Sequence, residues 1–149
     1  MPLQDAVMTK MKDAMRAKDT VALSSLRAIK SAILMAQTSG ADATLSEADE
    51  IKLVQKLVKQ RQDSAAIYKE QGREDLAAPE LAEVAVMAQF LPEQLSEEKV
   101  RDLVAQIIAT SGASGMGDMG KVMGMASKEL AGKADGKTIS AAVKALLTA

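Results

Sequence analysis

The segment Leu91-Pro-Glu-Gln-Leu-Ser-Glu-Glu-Lys-Val-Arg-Asp-Leu-Val-Ala-Gln-Ile-Ile108 divides the chain and contains its clearest helical pattern. The residue before a proline is disfavoured in the helical conformation, so a helix that arrives at Leu91 should end there. Ser96 is a favourable N-cap residue, and apolar residues then recur at helical spacing: Val100, Leu103, Val104, Ile107 and Ile108. We therefore predict a domain boundary between Leu91 and Pro92, followed by an amphipathic helix.

Four longer helices are predicted before this boundary, because strong helix formers dominate and no sustained alternation of apolar and polar residues occurs. Asp19 and Ser46 are good N-caps, with Asp49 at capping-box spacing from Ser46. Gly72 can close the third helix in the left-handed conformation. Pro79 should lie near the start of the fourth helix, since proline is tolerated in a first turn. The predicted helices run from Leu3 to Lys18, from Asp19 to about Gly40, from Ser46 to Gln71 and from about Pro79 to Phe90.

Three shorter helices are predicted after the boundary. The fifth ends at Gly112, the sixth runs from about Asp118 to Leu130, and the seventh starts near Asp135. The fold class is therefore all-α. An N-terminal four-helix domain over residues 1–91 precedes a small three-helix domain over residues 92–149, and each domain buries the apolar stripes of its own helices.

The composition excludes several classes of function. The chain has no cysteine and no histidine, which rules out disulfides, thiol catalysis, cysteine-ligated metals and the commonest general base. No apolar run approaches the roughly 20 residues that span a bilayer, and the N-terminal segment has no signal-peptide core. We expect a cytosolic protein that uses no cofactor, binds no metal and no membrane, and carries no catalytic residue of its own.

Charge is segregated along the chain, although the formal net charge is only −1. Residues 10–30 and residues 52–73 each carry six basic and two acidic side chains, whereas residues 74–102 carry two basic and eight acidic ones. Residues 121–149 carry five basic and two acidic side chains. Segregation of this kind can steer a polyanion. The solvated faces of amphipathic helices would produce the same pattern, so both interpretations stay open.

Glycine is concentrated late in the chain, where seven of the nine glycines lie between Gly112 and Gly136. Glycine costs about 1 kcal/mol relative to alanine inside a helix, so we expect close helix packing or helix capping to explain these positions. The Gly120-x-x-x-Gly124 spacing predicts a contact between two helices. The interleaved lysines also make this segment a candidate surface for a nucleic-acid backbone. Its candidate contact residues are Gly120, Lys121, Gly124, Lys133, Gly136 and Lys137.

Lys121, Lys133 and Lys137 would form one group if the ends of the last two helices lie close together. Lys133 and Lys137 flank Asp135, the predicted cap of the last helix, and Lys121 opens the helix before it. If these ends meet, the three ammonium groups and the free amides of a helix N-terminus form one small surface.

Gly115-Met-Gly-Asp-Met-Gly-Lys121 also matches part of a nucleotide-binding loop, but Val122 stands where magnesium requires Ser or Thr, and the preceding segment has helical period.

A second polar cluster lies on the third helix and the turn after it: Lys59, Arg61, Ser64, Tyr68, Arg73 and Asp75. A Ser–Lys or Tyr–Arg catalytic pair can be drawn from these residues. We favour an interlocked ion-pair network that ties the third helix to the Gly72 turn, with Arg61 partnered by an acid such as Glu80 or Glu83.

Several ordered motifs together resemble the YqeY-like proteins. They are Leu26-Arg-Ala, Lys59-Gln-Arg-x-x-Ser64, Tyr68, Gly72-Arg-x-Asp-Leu-Ala77, Leu91-Pro-Glu-Gln-Leu-Ser96, Met119-Gly-Lys-Val-Met-Gly124 and Gly132-Lys-Ala-Asp-Gly-Lys137. That family is related to the C-terminal tail domain found in the bacterial aspartyl/glutamyl-tRNA amidotransferase. The resemblance implies a helical N-terminal domain and a three-helix C-terminal domain.

The resemblance also implies an association with tRNA, and possible partners are a tRNA-charging enzyme or an amidotransferase. Our leading hypothesis is a tRNA-binding accessory protein, with Lys121, Lys133 and Lys137 as the phosphate contacts. The first alternative is a protein–protein adaptor that uses the glycines and methionines of the last three helices, and the methionines of this surface are Met116, Met119, Met123 and Met125. A further alternative is the carbon–nitrogen ligase activity with glutamine as amide donor that the family label implies.

Overall fold

The computed structural model describes residues 2–39 and 44–148, and it confirms the all-α prediction for these residues. The helices follow one another along the chain in the order α1 (Leu3–Ala17), α2 (Thr20–Thr38), α3 (Glu47–Glu70), α4 (Glu74–Ala88), α5 (Glu97–Ser111), a short 3-10 turn (Met116–Asp118), α6 (Met119–Glu129) and α7 (Gly136–Thr148). Within this part of the chain, no helix has both the length and the apolar character needed to cross a bilayer.

The chain forms two compact units, Met1–Leu91 and Pro92–Ala149, here called the N-terminal unit and the C-terminal unit. Each unit has its own apolar core. Leu26, Ile29, Val54 and Met87 lie at the centre of the first, and Val100, Val104, Val122 and Val143 lie at the centre of the second. Whether each unit folds by itself stays a prediction.

The helix starts follow the predicted caps. The Asp19 side chain accepts a hydrogen bond from the amide of Ala22, and Ser46 forms a complete capping box with Asp49. Ser96 accepts from the amide of Lys99, and Asp135 accepts from the amide of Thr138. These interactions are local in sequence, which is why the residue pattern alone is sufficient to predict them. The segment between the predicted end of the second helix near Gly40 and the predicted start of the third at Ser46 lies mostly outside the described residues.

Two helix ends close by the same six-residue motif. At the end of α3 the amide of Arg73 donates to the Tyr68 carbonyl at 2.7 Å, and the amide of Gly72, with φ of 71°, donates to the Lys69 carbonyl. This Schellman arrangement satisfies carbonyls that the helix leaves unpaired, and the chain continues directly into α4. The end of α1 uses the same bonds, but Lys18 occupies the left-handed position with φ of 55°.

The predicted start of the fourth helix is wrong. The helix α4 begins at Glu74, so Pro79 lies in its second turn. The amide that proline lacks would have bonded the carbonyl of Asp75 there, and the loss makes this position unfavourable by about 3 kcal/mol in an ordinary helix. Two features favour the earlier start. The Gly72 turn ends with Arg73 already accepting bonds from the amides of Leu76 and Ala77, and Ala77 is fully buried. The helix ends at Ala88, two residues before the predicted end, which is within the usual uncertainty of a helix boundary.

The three helices of the C-terminal unit alternate in direction. The first turn of α6 lies at the C-terminal end of α5, because Lys121 Nζ is 3.5 Å from the Ser111 carbonyl. The loop after α6 lies at the opposite end, because the amide of Leu95 donates to the Lys133 carbonyl at 2.9 Å. α6 therefore runs back along α5, and α7 starts again from the N-terminal end of α5. With 15 residues, α5 separates these two ends by about 22 Å.

Candidate nucleic-acid interface

One face of α6 is a stripe of small residues open to solvent. Gly120, Gly124 and Ser127 follow one another at helical spacing, and all three are exposed. A Cβ atom added at Gly120 or Gly124 would meet nothing within 4 Å. The prediction that this glycine pair marks a close contact between two helices of the chain is therefore wrong. We call Gly120, Gly124 and Ser127 the glycine face.

Other glycines have a clear role at helix ends. Gly112 closes α5 with φ of 73°, and its amide donates to the Ile108 carbonyl. Gly132 follows α6 with φ of 79°. A left-handed backbone favours glycine over any residue with a Cβ atom. The capping explanation thus holds for these two residues, whereas the pair on α6 neither closes a helix nor makes a close contact among the described residues.

Lysines border the glycine face on one side. Lys121 and Lys128 are exposed and lie seven residues apart on α6, next to the glycine positions on the helix surface. The ammonium group of Lys121 is also close to the Ser111 carbonyl at the end of α5, where a cation is favourable because of the helix dipole. Lys121 therefore has a structural interaction as well as a position suited to an anion.

Lys133 and Lys137 lie at the other end of the unit. Both side chains are exposed, and Asp135 between them caps α7. Gly136 is the first residue of α7, where helix amides have no partner within the helix. The convergence expected for the three lysines does not occur. Lys121 is near the C-terminal end of α5 and Lys133 is near its N-terminal end, so the length of α5 separates them.

The sequence comparisons are decisive for the family. The family model described as "Yqey-like protein" matches residues 4–147. The chain belongs to the YqeY-like family. No curated protein matches the chain.

In this YqeY-like protein the polar cluster on α3 is a set of separate pairs rather than one interlocked network. Lys59 pairs with Asp63 one turn away on α3, at 3.7 Å. Arg73 and Asp75 form two parallel hydrogen bonds of 3.0 Å at the start of α4. The Arg73 guanidinium lowers the pKa of the Asp75 carboxyl, and this carboxylate raises the pKa of Arg73.

Arg61 is the member of the cluster that joins helices. Its Nε lies 3.3 Å from Glu83 Oε2, with exposed fractions of 18% and 23% for the two side chains. The Nε atom is buried without a hydrogen-bond partner among the described residues. We treat the pair as an ion pair, since charge attraction depends weakly on angle. Arg61 Nη1 donates to the Leu57 carbonyl, and the Ser24 hydroxyl donates to Glu83 at 3.4 Å.

This arrangement does not support a catalytic pair in the cluster. Ser64 and Tyr68 are partly buried, while the basic side chains near them are directed to carboxylates: Lys59 to Asp63 and Arg73 to Asp75. A base that activates a hydroxyl must lie within hydrogen-bond reach of it. Within the cluster, Arg61 joins α3 to Glu83 on α4, and Ser24 on α2 bonds the same carboxylate.

Two polar contacts were not predicted from the sequence. Glu50 Oε2 accepts the amide of Leu3 at 2.7 Å, which caps α1 from a distance of 47 residues. Gln94 Nε2 donates to the carbonyls of Pro92 and Gly132, at 2.8 and 2.7 Å. Neither contact has a local signature, because each depends on how remote segments pack.

Proposed function

We propose that this member of the YqeY-like family is a cytosolic accessory protein that binds tRNA through its phosphate backbone. The observation that carries the proposal is the glycine face of α6, where two glycines lie exposed and an added Cβ atom would meet no atom of the described residues within 4 Å. Exposed glycines in a helix let another backbone approach closely, and the adjacent lysines favour an anionic one.

The two exposed glycines lower the intrinsic stability of α6. Replacing Gly124 by alanine should stabilise the protein by about 1 kcal/mol, because its backbone is helical and an added Cβ has open space. The gain at Gly120 should be smaller, because this residue lies in the first turn of α6. Retaining residues that weaken a helix is expected where function needs them. Phosphate is the class of ligand that best suits bare helix backbone beside Lys121 and Lys128.

The choice of tRNA rests on the family. YqeY-like proteins resemble the tail domain of an amidotransferase that acts on tRNA. Contacts to phosphate fix position and carry no base information, so we expect binding without strong sequence preference. Lys133 and Lys137 would contact a second phosphate region, about 22 Å from the first, since α5 separates the two groups.

A titration of unfractionated tRNA tests the proposal. We expect the Lys121, Lys133, Lys137→Glu triple variant and the Gly120→Ala, Gly124→Ala double variant to bind less tightly than wild type. The double variant should at the same time be more stable to urea. The charge-matched control is Lys12, Lys52, Lys144→Glu, which changes three exposed lysines elsewhere. Binding should weaken with a salt slope of about −2 to −3. Equal binding by all variants would reject the glycine face as the site.

A protein–protein adaptor is the second candidate, and one observation favours it. Met116 and Met125 expose 44% and 39% of their surface. Met119 and Met123 instead pack against the core of the C-terminal unit, so only half of the predicted methionine surface is available. Association through methionines should respond little to salt, unlike phosphate binding.

The family label of a glutamine-dependent carbon–nitrogen ligase remains a third hypothesis, and glutamine hydrolysis by the purified protein would support it.

A further inference from the structure

Gln94 makes an unusual pair of contacts in the segment before α5. Its side-chain amide donates one hydrogen bond to the Pro92 carbonyl, at 2.8 Å, and one to the Gly132 carbonyl, at 2.7 Å. Both acceptors are carbonyl oxygens, so the NH2 group must face them, and both of its protons are used. The contact to Gly132 bridges 38 positions of sequence.

The next residue extends the same connection. The amide of Leu95 donates to the Lys133 carbonyl at 2.9 Å. Two consecutive residues before α5 thus hold two consecutive carbonyls of the loop between α6 and α7. Gly132 and Ala134, on either side of Lys133, are buried, whereas the Lys133 side chain is exposed. The backbone of Lys133 is therefore held in place while its ammonium group is presented to solvent.

This connection also sets the start of α7. Asp135, two residues after Lys133, caps the helix by accepting from the amide of Thr138 at 2.7 Å. Lys137 lies in the first turn that this cap organises. A displacement of the loop at Gly132 would consequently move both lysines of this end together.

We propose that Gln94 is a positioning residue for the phosphate-binding lysines Lys133 and Lys137. The inference rests on the proposed function, since it assigns Gln94 a role at the same interface. Gln94 itself does not contact the RNA. It acts by fixing the loop that presents Lys133, so that less ordering is required when a phosphate binds.

The test compares wild type, Gln94→Met, the Lys133→Gln, Lys137→Gln double variant and the triple variant with all three substitutions, in titrations of tRNA at several salt concentrations. Methionine keeps the length of glutamine but donates no hydrogen bond. We expect Gln94→Met to raise the Kd about 3- to 10-fold and to make the salt slope shallower by about 1. In the Lys133→Gln, Lys137→Gln background the same change should have no further effect. Gln106→Met, on the exposed side of α5, is the matched control and should behave as wild type.

Hydrogen exchange at the Leu95 amide provides a second measurement on the wild type alone. The bond to Lys133 predicts strong protection of this amide in the free protein, and rapid exchange there would overturn the proposal. Unchanged affinity and slope in Gln94→Met would also overturn the proposal and leave the proposed function standing. An equal loss of affinity in the Lys133→Gln, Lys137→Gln background would do the same. No binding of tRNA by wild type at about 50 mM salt would overturn both.

Discussion

A single left-handed residue shows how local backbone preference acts in this protein. Lys18 closes α1 with φ of 55°, where glycine is the favoured residue. A side chain in this conformation costs about 1–2 kcal/mol, and the glycine of the equivalent motif at the end of α3 avoids that cost. The difference between Lys18 and Gly72 is thus a difference in strain within the same hydrogen-bond pattern.

We expect Lys18→Gly to raise the free energy of unfolding by about 0.5–1 kcal/mol relative to Lys18→Ala. Alanine is the control because it removes the same charge and retains the Cβ atom. Urea denaturation at neutral pH measures both variants. A glycine variant no more stable than the alanine variant would show that the left-handed position carries no strain.

At the scale of the element, α1 depends on a carboxylate supplied by α3. The helix α1 is preceded by Pro2, which offers no side-chain cap, and Glu50 accepts the amide of Leu3 instead. An unpaired first-turn amide and the positive end of the helix dipole both favour such a carboxylate.

Glu50→Ala should therefore lower the free energy of unfolding by about 1–2 kcal/mol. Glu47→Ala is the matched control, because Glu47 shares the first turn of α3 but is exposed. Both substitutions remove a favourable interaction with the dipole of α3, but only Glu50→Ala also removes the hydrogen bond from the Leu3 amide. Equal losses in urea denaturation would contradict the capping of α1 by Glu50.

The capping box of α3 predicts a dependence on pH. Hydrogen bonds from the side chain and the backbone of Ser46 lower the pKa of Asp49 below its usual value of 3.8. A carboxyl with a lowered folded-state pKa stabilises the protein fully above its unfolded pKa, and this contribution is lost as pH falls through the folded-state pKa. Stability measured from pH 5 downward should therefore decline less steeply in Asp49→Asn than in wild type. A parallel decline in both proteins would exclude this contribution.

The helices were predictable to the extent that their signals are local. Asp19, Ser46, Ser96 and Asp135 each cap the helix they precede, as their sequence positions indicate. The start of α4 was not predictable from Pro79, because the Gly72 turn and the burial of Ala77 outweigh the preference of one residue.

The candidate site was predictable only in part. The lysines and glycines are visible in the sequence, but their distribution over opposite ends of α5 depends on the alternating directions of three helices. The exposure of Gly120 and Gly124 is likewise a property of packing, since the same spacing is expected of glycines in a tight helix contact.

At the scale of the whole molecule, the two units provide a test of domain independence. Leu95 packs against the core of the C-terminal unit, and Gln94 and Leu95 bond the loop after α6. A fragment of residues 92–149 should show a cooperative thermal transition, although so few residues make a marginal core. A fragment of residues 96–149 should be less stable by about 1–3 kcal/mol. Circular dichroism during heating measures both, and the absence of a cooperative transition in the longer fragment would reject independent folding.

The two exposed glycines Gly120 and Gly124 have a thermodynamic consequence for α6. A helix that contains them has little intrinsic preference for its own conformation, so its folded population depends more than usual on what surrounds it. A ligand that binds only the helical form stabilises it by mass action, by about 2.7 kcal/mol when its free concentration is a hundred times its Kd. If tRNA binds the glycine face as proposed, the melting temperature of the C-terminal unit measures how fully this face is occupied.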